Sequence, residues 1–341
     1  MLRNAFSLVL IIGLIACAPV EKSRNDTGES ATKTDLGAAA NTYVTSRLAS
    51  YRAKSSPHCK STNGEAKRVL VTGFAPFSGV TYNISGTVAG SLLNGYWPES
   101  FEAALPTEIG APDSSLLNRD DYGARAQVAQ VTIGGKSYEV CTLLLEVTWD
   151  LAASIIIAEA SEFKPQMIIM SGADGSQPSK ATFEARSYNR ALFGSESYDH
   201  RGHALGDIAP ISDDVVPGYS DQAGVGLPMT WNRAVLNGQV GPFVKAVNAS
   251  FSLDEADSNP GSYICNNVSY VILSAIAGRN LSLAGGSIGH SQLGYTPASL
   301  AGVKAGFFHY PWAATTPAAA DPAQIFAWSK VIAKAISVTL P

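Results

Sequence analysis

From Lys67 onward the chain alternates short β-branched apolar runs with longer stretches of helical periodicity. That alternation admits few architectures, and it predicts one α/β domain of three layers, α/β/α, around a twisted, largely parallel sheet. Arg68 to Thr72 reads as a strand running into Gly73, and Gln166 to Met170 as another ending in Ser171-Gly172. Val128 to Ile133 and Tyr138 to Leu145 flank Gly134-Gly135 and read as a hairpin or as two adjacent strands. Helical patterns run from Trp149 to Phe163, within Leu227 to Asn248, from Cys265 to Ala277 and from Pro322 to Val338, with a short strand from Gly306 to Tyr310. The Gly-, Ser-, Pro- and Asn-rich stretches Tyr96 to Gly123 and Gly278 to Ala301 read as loops. Sites in open sheets of this kind collect at the carboxyl ends of the strands, which would bring Gly73, Gly172 and His309 to one crevice.

The first residues carry a different signal. Arg3 supplies a positive n-region, Ala5 to Ile15 an apolar h-region, and Leu14-Ile15-Ala16-Cys17 a small-residue cleavage site that ends in cysteine. The apolar run is too short for a permanent membrane span. Residues 1–17 therefore resemble a bacterial lipoprotein signal peptide, which implies acylation of Cys17, export to the cell envelope and contact with a membrane through lipid. Ala18 after Cys17 goes with the outer membrane, facing the periplasm or the surface. Residues 18–45 hold few large apolar side chains and read as a flexible tether, leaving 46–341 as the folded domain.

The chain of 341 residues has 24 Lys and Arg against 28 Asp and Glu, a net charge of −4, and no basic tract interleaved with aromatics, so nucleic-acid partners are set aside. Of its four cysteines, Cys17 is assigned to lipid and Cys265 to chemistry. Cys59 and Cys141 remain, either as a disulfide in an oxidising compartment or as two buried thiols.

Cys265 follows Pro260-Gly261-Ser262-Tyr263-Ile264 and opens an apolar helical stretch, which places its thiol at a helix N-terminus where backbone N–H groups favour a thiolate. The same groups could hold an oxyanion on a substrate carbonyl. Gly261-Ser262-Tyr263-Ile264-Cys265-Asn266 resembles the S-A-G-T-Y-V-C-N segment around the nucleophile of type I pyroglutamyl peptidases. Val71-Thr72-Gly73-Phe74-Ala75-Pro76-Phe77-Ser78-Gly79, followed by Asn83, is similar to that family's V-T-G-F-E-P-F-G-G and its nearby N-P. Gly172-Ala173-Asp174-Gly175 leads to Glu184 and Asn189 as the family's G-x-x-G leads to E-R-x-A-x-N. Gly306-Phe307-Phe308-His309-Tyr310-Pro311 resembles G-F-I-H-V-P.

Four segments in family order, from Val69 to Pro311, imply a pyroglutamyl peptidase I-like fold and a cysteine exopeptidase acting on peptides with N-terminal pyroglutamate. Cys265 would be the nucleophile, His309 the proton shuttle and Glu184 its orienting partner; Phe74, Phe77 and Asn83 would bind substrate. The resemblance implies no cofactor and no metal, and the His200/His203 pair offers a metal no further ligands at suitable spacing. Two other readings stay open: a cysteine amidase or peptidase for a different acyl amide, and a catalytically silent peptide-binding envelope lipoprotein. Ala75 and Ala185 stand where the family has an acidic and a basic residue, and Ala173 where it often has Gln. Glu196 stands where the family has an arginine that helps the oxyanion site, a role for which Arg186, Arg190 and Arg201 are the candidates. Asp254-Glu255-Ala256-Asp257, just before the nucleophile segment, would raise the thiol pKa if it lay near Cys265, and reads otherwise as a solvated loop.

Overall fold

The computed structural model describes residues 46–51, 53, 58–77, 80–107, 124–188, 226–254, 261, 263–278, 300–316 and 321–341. The proposed signal peptide, tether and lipidated Cys17, together with Asn189, Arg190, Glu196, His200, Arg201, His203 and Glu255 to Asp257, lie outside the described residues.

Nine strands and five helices are described below: β1 (Lys67–Phe74), α1 (Ile84–Leu93), β2 (Ala124–Ile133), β3 (Lys136–Leu145), α2 (Leu151–Phe163), β4 (Met167–Asp174), β5 (Lys180–Phe183), β6 (Arg186–Ser187), β7 (Leu227–Pro228), α3 (Arg233–Val247), β8 (Ser252–Leu253), α4 (Ile264–Ile276), β9 (Lys304–Pro311) and α5 (Pro322–Thr339). Seven strands make one sheet in the order β2-β3-β1-β4-β9-β5-β8, and β6 pairs with β7 apart from it. The centre, β3-β1-β4-β9, is parallel throughout. Helices α1 and α3 pack on α5, whereas α2 packs on α4, so two helix layers enclose the sheet as the sequence predicts.

Several elements differ in extent from their sequence signals, each for a local reason. The Val128–Leu145 region is a true antiparallel hairpin, closed by the pair Ile133 and Lys136, with Gly134 and Gly135 at φ 57° and 78°. Glycine adopts positive φ without steric cost, which is why the Gly-Gly pair marks the turn. Within Leu227 to Asn248, the first residues are not helical. Leu227–Pro228 is strand β7, and Asn232 caps α3 by accepting a hydrogen bond from Val235 N at 3.2 Å. The helix predicted from Trp149 begins at Leu151, because Asp150 has φ 60°.

The N-terminal part of the domain is strapped to the sheet by buried carboxylates. Glu159 of α2 accepts from Tyr51 Oη at 2.6 Å, His58 N at 3.2 Å and Cys59 N at 2.7 Å. Glu139 of β3 accepts from Ser61 Oγ at 2.6 Å and Thr62 N at 2.6 Å, and Arg47 reaches Glu146 at 2.8 Å. A disulfide joins Cys59 to Cys141 of β3, with Cα atoms 5.6 Å apart. The disulfide and Glu139 thus fix this segment on β3, and Glu159 fixes it on α2.

Candidate active site

Strand alternation and helix entry bring three separated segments together. Gly172 near the end of β4 is the register partner of His309 on β9, and paired residues of parallel strands present their side chains to one face. Across β9, Thr182 pairs with His309 and Glu184 N donates to Phe307 O at 2.9 Å, so Glu184 falls on the same face as His309. His309 Nδ1 and Glu184 Oε1 are 2.6 Å apart, and both residues are 1% exposed. Burial by itself would lower the imidazole pKa. The hydrogen bond and charge of Glu184, with the charge of Asp174, outweigh it and leave His309 raised above the ordinary histidine value.

Cys265 is the second residue of α4, whose N-cap is Tyr263, and it is 1% exposed. Its sulfur lies over Gly172: a Cβ built on that glycine would sit 2.9 Å from Cys265 Sγ. Gly172 therefore leaves the room for the sulfur on the strand face that carries His309. Cys265 is disulfide-bonded in this structure, and the nucleophilic chemistry proposed for it belongs to its reduced form.

The backbone of Glu184 is itself held. Trp231 Nε1 donates to Glu184 O at 3.0 Å, and its ring packs edge-on against Phe183 at 5.1 Å between centroids. Gly306 makes room for that ring, since a Cβ there would come within 2.0 Å of the indole. Trp231 escaped sequence reasoning because it lies outside the four motif segments, in a stretch where helical periodicity dominated the reading.

Phe74, Phe77 and Asn83 lie at the carboxyl end of β1 and the start of α1, one strand from Gly172. Phe74 and Phe77 are buried in the main apolar core. Asn83 is the N-cap of α1: Oδ1 accepts from Ser85 N at 3.2 Å and Ser85 Oγ at 2.9 Å, and Nδ2 donates to Ala75 O at 3.3 Å. The structure thus gives Asn83 the work of fixing the loop after β1. Arg186 is half-buried in β6. Asp254 lies just beyond β8, where it forms an ion pair with Lys180 at 3.8 Å. Among the described residues, no three His, Cys, Asp or Glu side chains gather where they could hold a metal ion.

No family model matches the chain, and no curated protein matches it. Among solved structures, it is similar to pyroglutamyl peptidase I from Bacillus amyloliquefaciens, at 15% identity over 80% of this chain and 97% of that one, with a TM-score of 0.43. Pyrrolidone carboxyl peptidase from Thermococcus litoralis is 19% identical over 80% and 93%, with a TM-score of 0.44. A mutant pyrrolidone carboxyl peptidase from Pyrococcus furiosus is 17% identical over 80% and 98%, with a TM-score of 0.46.

Proposed function

We propose that this protein is a cysteine exopeptidase that hydrolyses the amide bond after an N-terminal pyroglutamyl residue. The observation that carries the reading is the buried 2.6 Å contact of His309 with Glu184, on the strand whose register partner, Gly172, lies beneath Cys265 Sγ. A thiol, a base and an orienting carboxylate in that order are what nucleophilic acyl transfer requires. Cys265 as thiolate attacks the pyroglutamyl carbonyl carbon, and the electron pair moves to the oxygen, which faces the first-turn N–H groups of α4. The C–N bond then breaks as protonated His309 gives its proton to the leaving amine, and a pyroglutamyl thioester remains. Water attacks the thioester while His309 takes its proton, releasing pyroglutamate and the thiolate. Glu184 holds Nδ1–H throughout and so presents Nε2 to the reacting atoms.

A wider substrate range is favoured by one observation. Asp174 lies two residues beyond Gly172 on the same strand face, and its charge is felt at His309. A carboxylate there suits an acyl amide carrying a cationic group better than a neutral lactam alone.

We also read the chain as an exported lipoprotein anchored through Cys17. Support comes from the signal-like residues 1–17 and from the Cys59–Cys141 bridge, a bond suited to an oxidising compartment.

Hydrolysis of a pyroglutamyl arylamide by the reduced full chain, beside Cys265→Ala and a panel of other acyl arylamides, tests the reading. Pyroglutamyl turnover that the substitution abolishes is the expected result. Turnover of another acyl amide alone would overturn the substrate class, and an unreactive panel with an inert Cys265 would overturn the peptidase reading.

A further inference from the structure

The two residues after Cys265 both grip backbone from other parts of the fold. Asn266 clasps Tyr188, with Nδ2 donating to Tyr188 O at 2.8 Å and Oδ1 accepting from Tyr188 N at 2.9 Å. Asn267 clasps Asp150: Oδ1 accepts from Asp150 N at 3.2 Å and Nδ2 donates to the carboxylate Oδ1 at 3.0 Å. The second clasp is the unusual one. Asp150 is 2% exposed and holds φ 60° and ψ −36°, with Leu151 N donating to Trp149 O at 2.6 Å across it. That is a γ-turn of the rare, strained kind.

Asp150 also occupies the N-cap of α2, where an aspartate ordinarily bonds the first-turn N–H groups of its own helix. Its side chain makes no such bond. The carboxylate turns instead to the first turn of α4, and the neighbouring Trp149 ring stands edge-on to Tyr263, the N-cap of α4, at 5.5 Å and 86°. A strained turn and a buried charge are thus directed to the helix that bears the cysteine, at the expense of the helix they precede.

We infer that Asp150 and Asn267 are a positioning pair for Cys265, setting where α4's first turn, and so Sγ, sits above Gly172. The inference rests on Cys265 being the nucleophile. Neither residue touches substrate; each acts through the helix turn.

The test uses the reduced full chain and reads the pH profile of Cys265 alkylation by iodoacetamide, with kcat and KM on whichever acyl arylamide is turned over. Asn267→Asp sets two acceptors face to face and removes the donor to Asp150. It is expected to slow neutral-pH alkylation and lower kcat by about tenfold or more, with KM within about twofold, because small displacements of a reacting group cost rate more than binding. Adding Asp150→Asn to it restores a donor opposite an acceptor, and the double exchange is expected to recover most of both losses. Asp150→Asn alone keeps the clasp and removes the charge, so it is expected to fold and to move the alkylation midpoint to lower pH. An alkylation profile unchanged in Asn267→Asp and in Asp150→Asn, even with a lowered Tm, would make the clasp a plain structural contact and overturn the inference. A wild-type Cys265 that is inert when reduced would instead overturn the nucleophile reading itself.

Discussion

Gly172 and Cys265 meet so closely that a single methyl group on the glycine would lie 2.9 Å from the sulfur. Phe307, at 3.1 Å from the same point, closes the other side. Gly172→Ala is therefore expected to push Cys265 off the face it shares with His309. Turnover should fall by about 10²-fold while the fold persists, with slowed alkylation of Cys265 as the accompanying sign. A variant that keeps full activity would show that the sulfur does not work from this position.

Glu184→Gln preserves a hydrogen bond to Nδ1 but removes the charge that helps to raise the His309 pKa. The limb of the pH–rate profile that reports His309 is expected to move to lower pH, and kcat to fall by about 10²-fold or more. The same pair contributes to stability with a defined sign. The folded pKa is raised, so the contribution is complete below the ordinary histidine value and is lost as pH rises through the folded one. Denaturant midpoints measured on both sides of neutrality should show the difference between wild type and Glu184→Gln shrinking at alkaline pH.

Glu159 shows the opposite sign. Burial would raise its pKa, but hydrogen bonds from His58, Tyr51 and Cys59 N, with the charge of His58, hold it below the ordinary carboxylate range. Its contribution is complete above that range and is lost as pH falls through the depressed folded value. Glu159→Gln should be destabilised by about 1–3 kcal/mol near neutrality and lose less stability than wild type on acidification, as urea midpoints between neutral and strongly acid pH would show.

Asn83→Ala removes the cap of α1 and the bond to Ala75 O. A stability loss of about 1 kcal/mol with KM changed less than about threefold is expected from the geometry, whereas the family resemblance alone would have KM rise. Thermal melts and steady-state kinetics on one preparation distinguish the two.

The strands that carry the site were legible because β1, β4 and β9 are buried apolar runs ending in glycine- and proline-bearing motifs. Helix α1 was not legible. Its sequence, ISGTVAGSLL, is buried on all sides and lined with small residues, so it has no polar face to set a helical period. Strand β5 spans only Lys180–Phe183, too short for an alternation to register. Within the site, Cys265, Glu184 and His309 were found through motif order. The Asp150–Asn267 clasp joins positions 117 apart by side chain and backbone together, a pairing for which one sequence holds no signal.

The Cys59–Cys141 bond also determines where a pull on the chain would be felt. Tension entering from the N-terminal side meets a covalent stop in β3, which is laced to β2 on one edge and β1 on the other. β4 and β9, which carry Gly172 and His309, lie beyond β1 from that load path. A domain moored by its leading end could be tugged without its working parts being drawn out of line.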